Sequence, residues 1–157
     1  MHTCTGSITS IAALARPTLK GLALPGDAVP VPAKILIVDD HALVRRTLRS
    51  LLAEQRHWKI YEASDGQEAV DKIRRLKPDV AILDIVMPRM SGIEAAYEVR
   101  RLVPDTKIIL MSSHYTPEEA ASLARVFGDG NFVAKSDMGK DLVPAISRIL
   151  REEAGAA

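Results

Sequence analysis

The sequence has one cysteine, almost no net charge and no long apolar run. Cys4 alone cannot form an internal disulfide or a cysteine-based zinc site, so we expect the chain to fold in a reducing cytoplasm. A net charge of +1, from 21 basic and 20 acidic residues, provides no field for binding nucleic acid or an anionic membrane. No apolar run approaches the roughly 20 residues that cross a bilayer. We therefore expect neither nucleic acid nor a membrane among the partners of this chain.

The composition of the 157 residues favours one globular domain with an extension at its start. Hydrophobic residues make up 47% of the chain and charged residues 26%, close to the averages for globular proteins. Residues 1–32 are rich in small residues and proline, and they contain no acidic residue before Asp27. We interpret them as a disordered or linker-like tail, because no basic stretch precedes an unbroken apolar run as in a signal peptide. Two alternatives remain open: a weakly amphipathic docking segment (Ile8, Ile11, Ala12, Ala15, Leu19) and an over-read upstream of a natural start near Val29 or Val31.

From residue 34 onward, short apolar segments alternate with amphipathic ones. The continuous aliphatic run at 34–38 is typical of a strand that is covered on both faces of a parallel sheet. Repeated strand–helix units with short connections imply a parallel sheet with right-handed crossovers and helices on both faces. Strands are predicted at 34–38, 58–63, 79–83, 107–111 and 131–134, and helices at 42–56, 64–78, 92–103, 116–128 and 138–152.

Two local features refine the predicted helices. Thr116-Pro117-Glu118-Glu119 predicts a capping box with proline at the first helical position. Pro144 is compatible with the last helix only if it falls in the first turn, where amide hydrogens lack intrahelical partners.

Polar side chains follow the predicted strands at the points where they end. Asp39 and Asp40 follow the first strand, Asp84 the third, Ser112 the fourth and Lys135 the fifth. The carboxyl ends of parallel strands meet at one edge of the sheet, so the three acids are expected in one pocket. Adjacent carboxylates repel unless they share a cation, and oxygen ligands without His or Cys in the pattern favour Mg²⁺. Magnesium beside carboxylates suggests phosphate chemistry.

Four motifs in fixed order carry a family resemblance. They are Ile35-Leu36-Ile37-Val38-Asp39-Asp40, Leu83-Asp84-Ile85-Val86-Met87-Pro88 followed by Gly92, Met111-Ser112-Ser113 and Phe132-Val133-Ala134-Lys135. Together they resemble the CheY-like receiver domain of two-component response regulators. Lys135-Ser136-Asp137 and the Ser-Ser-His after the fourth strand are most similar to receivers of LuxR-type regulators. The resemblance implies a flavodoxin-like (βα)5 doubly wound sheet of strand order 2-1-3-4-5, with the receiver at 33–153 and a C-terminal tail at 154–157.

The resemblance also implies a phosphoacceptor and a metal site. Asp84 would accept a phosphoryl group from a sensor histidine kinase or a histidine phosphotransfer protein. Asp40, Asp84 and the backbone carbonyl of Val86 would ligate Mg²⁺ directly, while Asp39 would hold a coordinated water. Lys135 would neutralise charge on the phosphoryl oxygens.

A conformational switch is implied in the same way. Ser112 would bind the new phosphoryl group and Phe132 would rotate into the space that the moving loop leaves. The surface of the fourth helix, fifth strand and fifth helix would then bind partners or a second copy in a homodimer. His114 and Val86 would flank the pocket and tune hydrolysis of the acyl phosphate.

Each of these residues also has a purely structural interpretation. Asp39 and Asp40 could be helix N-caps, Lys135 a solvated charge and Ser112 a residue that satisfies backbone groups at a strand end. Phe132 could be a core residue and His114 a solvent-facing loop residue. The combination of motifs favours the functional roles of Asp39, Asp40, Lys135 and Ser112. It leaves both roles of Phe132 open and does not favour a chemical role for His114.

Three positions depart from the common receiver pattern. Ser136 follows the lysine where many receivers have proline after a cis peptide, so the geometry of the Lys135–Ser136 bond stays open. Asn131 stands where glycine is common, and Asn tolerates positive φ better than most residues. Phe132 replaces tyrosine and removes a hydroxyl.

Two competing classes of phosphate enzyme require residues that this sequence lacks. A haloacid-dehalogenase-type phosphatase needs a second acid two residues after the nucleophile, where Val86 stands, and no P-loop is present. We therefore expect a phosphorylatable switch rather than an enzyme with an external substrate. Three outputs remain open: stand-alone signalling through protein contacts or phosphorelay, the receiver fragment of a LuxR-type DNA-binding regulator, and a phosphorylation-independent binding module.

Overall fold

The computed structural model describes residues 31–127, 129 and 131–156, and the predicted tail at residues 1–30 lies outside them. The elements in chain order are β1 (Ala33–Val38), α1 (Ala42–Ala53), β2 (Trp58–Ala63), α2 (Gly66–Leu76), β3 (Val80–Asp84), α3 (Gly92–Leu102), β4 (Lys107–Ser112), α4 (Pro117–Phe127), β5 (Phe132–Ala134) and α5 (Met138–Gly155). Within the described part, the five strands form one parallel sheet of order β2-β1-β3-β4-β5. The predicted doubly wound fold and strand order are confirmed.

The sheet separates two apolar layers because successive strand residues point to opposite faces. Leu36 and Val38 of β1 pack with α2, α3 and α4. Ile35 and Ile37 pack instead with α1 and α5. Full burial of a Leu or Ile side chain contributes about 1.5–3 kcal/mol, so these two layers hold the strand ends in place.

Three of the helices begin with a side-chain cap. The Asp65 carboxylate accepts a hydrogen bond from the Glu68 amide at 2.8 Å, and Ser91 and Glu94 form a reciprocal capping box. The predicted capping box before α4 is present, because the Thr116 amide donates to Glu119 at 3.0 Å and the Glu119 amide donates back at 3.3 Å. Caps of this kind contribute about 1 kcal/mol each.

The last helix differs from the expectation at two points. Pro144 lies well past the first turn of α5, so the prediction that it must fall in that turn is wrong. The carbonyl of Lys140 thereby loses its amide partner, but both residues are exposed and water can take that place. The helix runs to Gly155, so residues 154 and 155 are helical.

The backbone shows the geometry at the two positions, Ser136 and Asn131, where the sequence departs from the common receiver pattern. The Lys135–Ser136 bond is trans, as are all peptide bonds in the described ranges. Positive φ occurs at Asp129, with φ of 53°, rather than at Asn131. α1 ends at Ala53, a turn earlier than predicted. No helix in the described part of the chain has the length and apolar character needed to cross a bilayer.

Candidate functional site

The carboxyl edge of the sheet gathers the predicted site residues. Asp39 and Asp40 directly follow β1, Asp84 ends the neighbouring β3, and Lys135 follows β5. The side chains of Asp39 and Asp84 are buried, whereas Asp40 is partly open to solvent. Ser112 ends β4 and is also buried. The chain thus holds acidic side chains in the interior beside a single ammonium group.

Lys135 links two of the buried carboxylates. Its Nζ lies 2.7 Å from Asp39 Oδ2 and 3.2 Å from Asp84 Oδ2. Burial alone would lower the pKa of Lys135, but contact with Asp39 and the charge of Asp84 outweigh it and raise the pKa. Burial, followed by the charge of Asp39, raises the pKa of Asp84, and Lys135 opposes this effect. Lys135 therefore stays charged and helps Asp84 to ionise.

The acidic cluster has the chemistry of a cation site. Asp39, Asp40, His41 and Asp84 each offer one ligand atom, and these atoms all lie within 4.8 Å of one another. Two buried oxygens, Asp39 Oδ2 and Asp40 Oδ1, have no hydrogen-bond partner; the contact of Lys135 with Asp39 is an ion pair without a directed hydrogen bond. A buried polar atom without a hydrogen bond costs about 1–3 kcal/mol. Carboxylate oxygens of this kind fit Mg²⁺.

A pocket of about 660 Å³ opens above the cluster. Val86 and His114 both line it, as predicted, and Val86 is 45% exposed. The Ser112 hydroxyl accepts a hydrogen bond from the His114 amide at 3.1 Å, and its neighbour Ser113 lines the pocket instead. Phe132 lies outside the lining and packs, partly buried, on the apolar layer of α2, α3 and α4. The structure therefore brings together the acids and Lys135, whereas Ser112 is buried at the end of β4 and Phe132 lies apart.

Sequence reasoning missed two residues next to the acids. The Mg²⁺ argument assumes that no histidine belongs to the pattern, and this assumption is wrong for His41. The His41 amide donates to Asp39 Oδ1 at 2.8 Å, and its ring belongs to the cluster. Arg45 donates from Nη1 to the Asp39 carbonyl at 2.8 Å. The signal was available, because His41 directly follows the acid pair and Arg45 stands one helical turn later.

Comparison with known proteins identifies the family. The model of the response regulator receiver domain matches residues 35–147. The chain belongs to this family. The receiver is 37% identical over 116 residues to the transcriptional regulatory protein PdtaR of Mycobacterium tuberculosis, with 74% of this chain and 56% of PdtaR covered. It is 33% identical over 117 residues to the chemotaxis protein CheY of Thermotoga maritima, with 74% and 96% covered.

Solved structures agree with this assignment. A two-component response regulator of the LuxR family from Aurantimonas sp. superposes with a TM-score of 0.71 at 30% identity, covering 77% of this chain and 86% of that one. The chain spans little more than half of PdtaR, at 56% of its length. Receiver domains are phosphoacceptor switches of two-component signalling rather than classical enzymes. Phosphorylation by histidine kinases or phosphotransfer proteins and dependence on Mg²⁺ are general properties of the family.

Proposed function

We propose that this receiver accepts a phosphoryl group on Asp84 in a Mg²⁺-dependent reaction and transmits the change to the surface of α4, β5 and α5. The observation that carries this proposal is the contact of Lys135 with Asp84 beside Asp40, whose Oδ1 is buried without a hydrogen bond. A buried nucleophile, a fixed cation and neighbouring carboxylates that can hold a metal ion are the groups that phosphoryl transfer to an aspartate needs.

Asp84 acts as the nucleophile. A carboxylate oxygen attacks the phosphorus of a phosphohistidine, an O–P bond forms, the P–N bond breaks, and the leaving imidazole takes up a proton. The reaction requires the ionised carboxylate, and Lys135 at 3.2 Å favours that form against the effect of burial. Lys135 also lies where it can contact an oxygen of the transferred group.

The acids would hold the metal ion. Asp40, Asp84 and the backbone carbonyl of Val86 would bind Mg²⁺ directly, with Asp39 acting through a water molecule. When bound, Mg²⁺ neutralises negative charge on the phosphoryl oxygens. Arg45 fixes the Asp39 carbonyl, so the loop that carries both acids is restrained from the helix side.

The switch begins at Ser112. Its hydroxyl accepts from the His114 amide, so a phosphoryl group on Asp84 would compete for this hydroxyl and draw the loop after β4 inward. Phe132 would then turn toward the space that the loop leaves. Exposed apolar side chains near this surface, Tyr115 and Val126, support docking of a partner or a second copy there.

The output has two main candidates. One is stand-alone signalling or phosphorelay by the receiver at residues 33–153. The other is the receiver part of a LuxR-type DNA-binding transcriptional regulator. The similarity to a LuxR-family response regulator supports a regulator of this type, and PdtaR is named a transcriptional regulatory protein. A module that signals by binding without phosphorylation is the alternative from another class.

The test is intact-mass analysis after incubation with acetyl phosphate or phosphoramidate, with and without Mg²⁺. The wild type is expected to gain one phosphoryl group only with Mg²⁺, and Asp84→Asn none. Asp105→Asn, an exposed aspartate at the opposite end of β4, is the matched control and is expected to behave as wild type. An adduct that survives in Asp84→Asn contradicts the assignment. No wild-type adduct, even with a phosphorylated histidine phosphotransfer domain as donor, favours the binding module.

A further inference from the structure

The loop between β3 and α3 contains a strained turn. The Met90 amide donates to the Pro88 carbonyl at 2.9 Å, and Arg89 between them has a φ of 67°. A hydrogen bond that spans one residue of positive φ corresponds to the rare, strained type of γ-turn. The ion pair of Arg89 with Asp65 is 3.6 Å long and the Arg89 side chain is 77% exposed, so this pair contributes little to the conformation. A non-glycine residue keeps such a backbone only where the surrounding contacts impose it.

Contacts at both ends of the loop hold the chain in place. The Ile85 amide donates to the Met111 carbonyl at 2.8 Å, and the Ile85 carbonyl accepts from the Gly92 amide at 3.0 Å. A Cβ at Gly92 would lie 2.1 Å from the Asp84 carbonyl oxygen, so α3 begins in direct contact with the end of β3. The two ends of the loop at 86–91 are therefore fixed. Any displacement of the loop beside Asp84 has to be taken up within this segment.

Met90 brings the far side of the loop against α2. A Cβ added at Gly66, the first residue of α2, would lie 2.7–2.9 Å from three side-chain atoms of Met90. The methionine and the helix start fit together because residue 66 has no side chain. Met90 also lines a cavity of about 580 Å³ between α2 and α3, together with apolar side chains of both helices and Tyr97. Val86, on the near side of the same loop, lines the pocket above the acidic cluster. One short loop thus contributes to both cavities.

We propose that this loop is a two-state coupling element: when the site at Asp84 takes up its metal ion or phosphoryl group, the γ-turn relaxes, Met90 leaves Gly66, and the cavity between α2 and α3 changes shape. The inference rests on the proposed function, in which the Val86 carbonyl is an expected metal ligand. The Val86 amide reaches Asp84 Oδ1 only over 3.4 Å, so this part of the loop is weakly held. A change of Arg89 to negative φ releases the strain of the turn. The surface of α2 and α3 thereby reports the state of the site, in addition to the surface of α4, β5 and α5.

A purely structural role of the contact between Met90 and Gly66 makes different predictions. In that role the contact only packs the loop on the helix, so substitutions there change stability and leave metal affinity as it is. In a coupling element the two states differ in metal affinity, and linkage requires that a shift between them changes this affinity. Disfavouring the contact of Met90 with Gly66 then strengthens Mg²⁺ binding, whereas removing the strain at Arg89 weakens it.

Calorimetric titration of the full chain with Mg²⁺ compares two substitutions of opposite expected effect. Gly66→Ala forces Met90 away from α2, and we expect the Mg²⁺ dissociation constant to fall about fivefold. Arg89→Gly removes the cost of positive φ, and we expect the constant to rise about threefold or more. Gly139→Ala, whose Cβ would meet no atom within 4 Å, is the control for the added methyl group. Arg89→Lys keeps the charge and the strained φ, and both controls are expected to match wild type.

The methyl groups of methionine report the movement directly. In protein labelled with ¹³C at these methyl groups, Mg²⁺ and then acetyl phosphate are expected to shift the Met90 signal, which Met90→Leu assigns. The signal of Met138, which packs on the opposite layer of the sheet with α1 and α5, is expected to stay in place. In Gly66→Ala the Met90 signal is expected at a shifted position before Mg²⁺ is added.

The outcomes separate this inference from the function on which it rests. A Met90 signal that stays in place while the wild type binds Mg²⁺ and gains its phosphoryl group overturns the coupling alone. Unchanged Mg²⁺ constants in both variants, or shifts of the same sign, overturn it as well. Arg89→Gly and the wild-type Met90 signal decide independently of whether Gly66→Ala folds. If the wild type neither binds Mg²⁺ nor forms the adduct, the coupling and the proposed function fail together.

Discussion

The starts of α1 and α3 follow neighbouring strands but use their polar side chains in opposite ways. At α3, the Ser91 amide donates to Glu94 at 2.8 Å, and the Glu94 amide donates to the Ser91 hydroxyl at 3.2 Å. Before α1 stand two aspartates, yet no side chain caps the helix, and Asp40 Oδ1 has no hydrogen bond. The side chains at the start of α3 stabilise that helix, whereas the start of α1 leaves one oxygen of Asp40 without a hydrogen bond.

The missing cap at α1 indicates that the polar side chains there serve the site rather than the stability of the helix. Side chains cap the start of α3 but not the start of α1, where the acid pair lies, as expected where a ligand completes the structure. Substitutions at these helix starts distinguish the two roles, because they can change stability, the metal-dependent reaction or both.

Gly92, at the first position of α3, is expected to produce the largest effect because it ties the helix to the nucleophile. A Cβ added there would lie 2.1 Å from the Asp84 carbonyl oxygen and 2.7 Å from its carbon. Since both are backbone atoms, Gly92→Ala must shift the helix or the strand end. We expect a loss of about 3 kcal/mol or more in the free energy of unfolding, measured in urea, and a loss of the phosphoryl adduct.

Gly139→Ala is the control for that substitution. A Cβ at Gly139 would meet no atom within 4 Å, and the residue lies near the start of α5. This change is expected to stabilise the protein by about 0.5–1 kcal/mol and to leave phosphorylation unaffected. Wild-type stability and phosphorylation in Gly92→Ala would show that the contact with Asp84 is not required.

A second pair of substitutions compares the two helix starts directly. Ser91→Ala removes a cap and is expected to cost about 1 kcal/mol of stability while the Mg²⁺-dependent adduct still forms. Asp40→Ala removes no capping bond and relieves repulsion with Asp39, so without divalent ions its stability should equal or exceed that of wild type. Urea unfolding and intact mass measure both. Equal losses of stability in the two variants would contradict the comparison.

The fold was predictable because its signals are local and mutually consistent. The apolar run of β1 and the Thr116 capping box each determine their own element, and the order of strands and helices leaves few topologies. The acids at the strand ends follow from that topology. His41 was missed because its contact depends on how the loop between β1 and α1 turns back on Asp39, which no periodic pattern records.

The position of Pro144 was predicted wrongly because a local rule ignores the solvent exposure of the folded chain. The rule for proline in helices predicts that Pro144 lies in the first turn. The energetic cost of Pro144 in α5 depends, however, on whether the carbonyl of Lys140 reaches water, and that is a property of the folded surface. Exposure of Lys140 and Pro144 supplies the missing fact. Local rules therefore predict elements well and predict their exceptions poorly.

The smallest expected effect belongs to Glu68, a carboxylate that supports a helix start away from the acidic site. Its hydrogen bond with Lys72 and then that from the Ser64 amide lower its pKa from 4.5 to about 2. A lowered pKa means that the stabilisation is complete above the unfolded value and disappears as pH falls toward about 2. Since the side chain is 38% exposed, solvent screening reduces the contribution to under about 1 kcal/mol.

Glu68→Gln is therefore expected to lower the free energy of unfolding at pH 7 and to match wild type near pH 2. Urea unfolding across this range measures the difference, with Glu118→Gln on the exposed start of α4 as the control that should show no such dependence. A difference that persists undiminished at pH 2 would mean that the lost stability comes from packing of the side chain rather than from its charge. The phosphoryl adduct should form in both variants, because a carboxylate that serves a helix start can be replaced without touching the chemistry at Asp84.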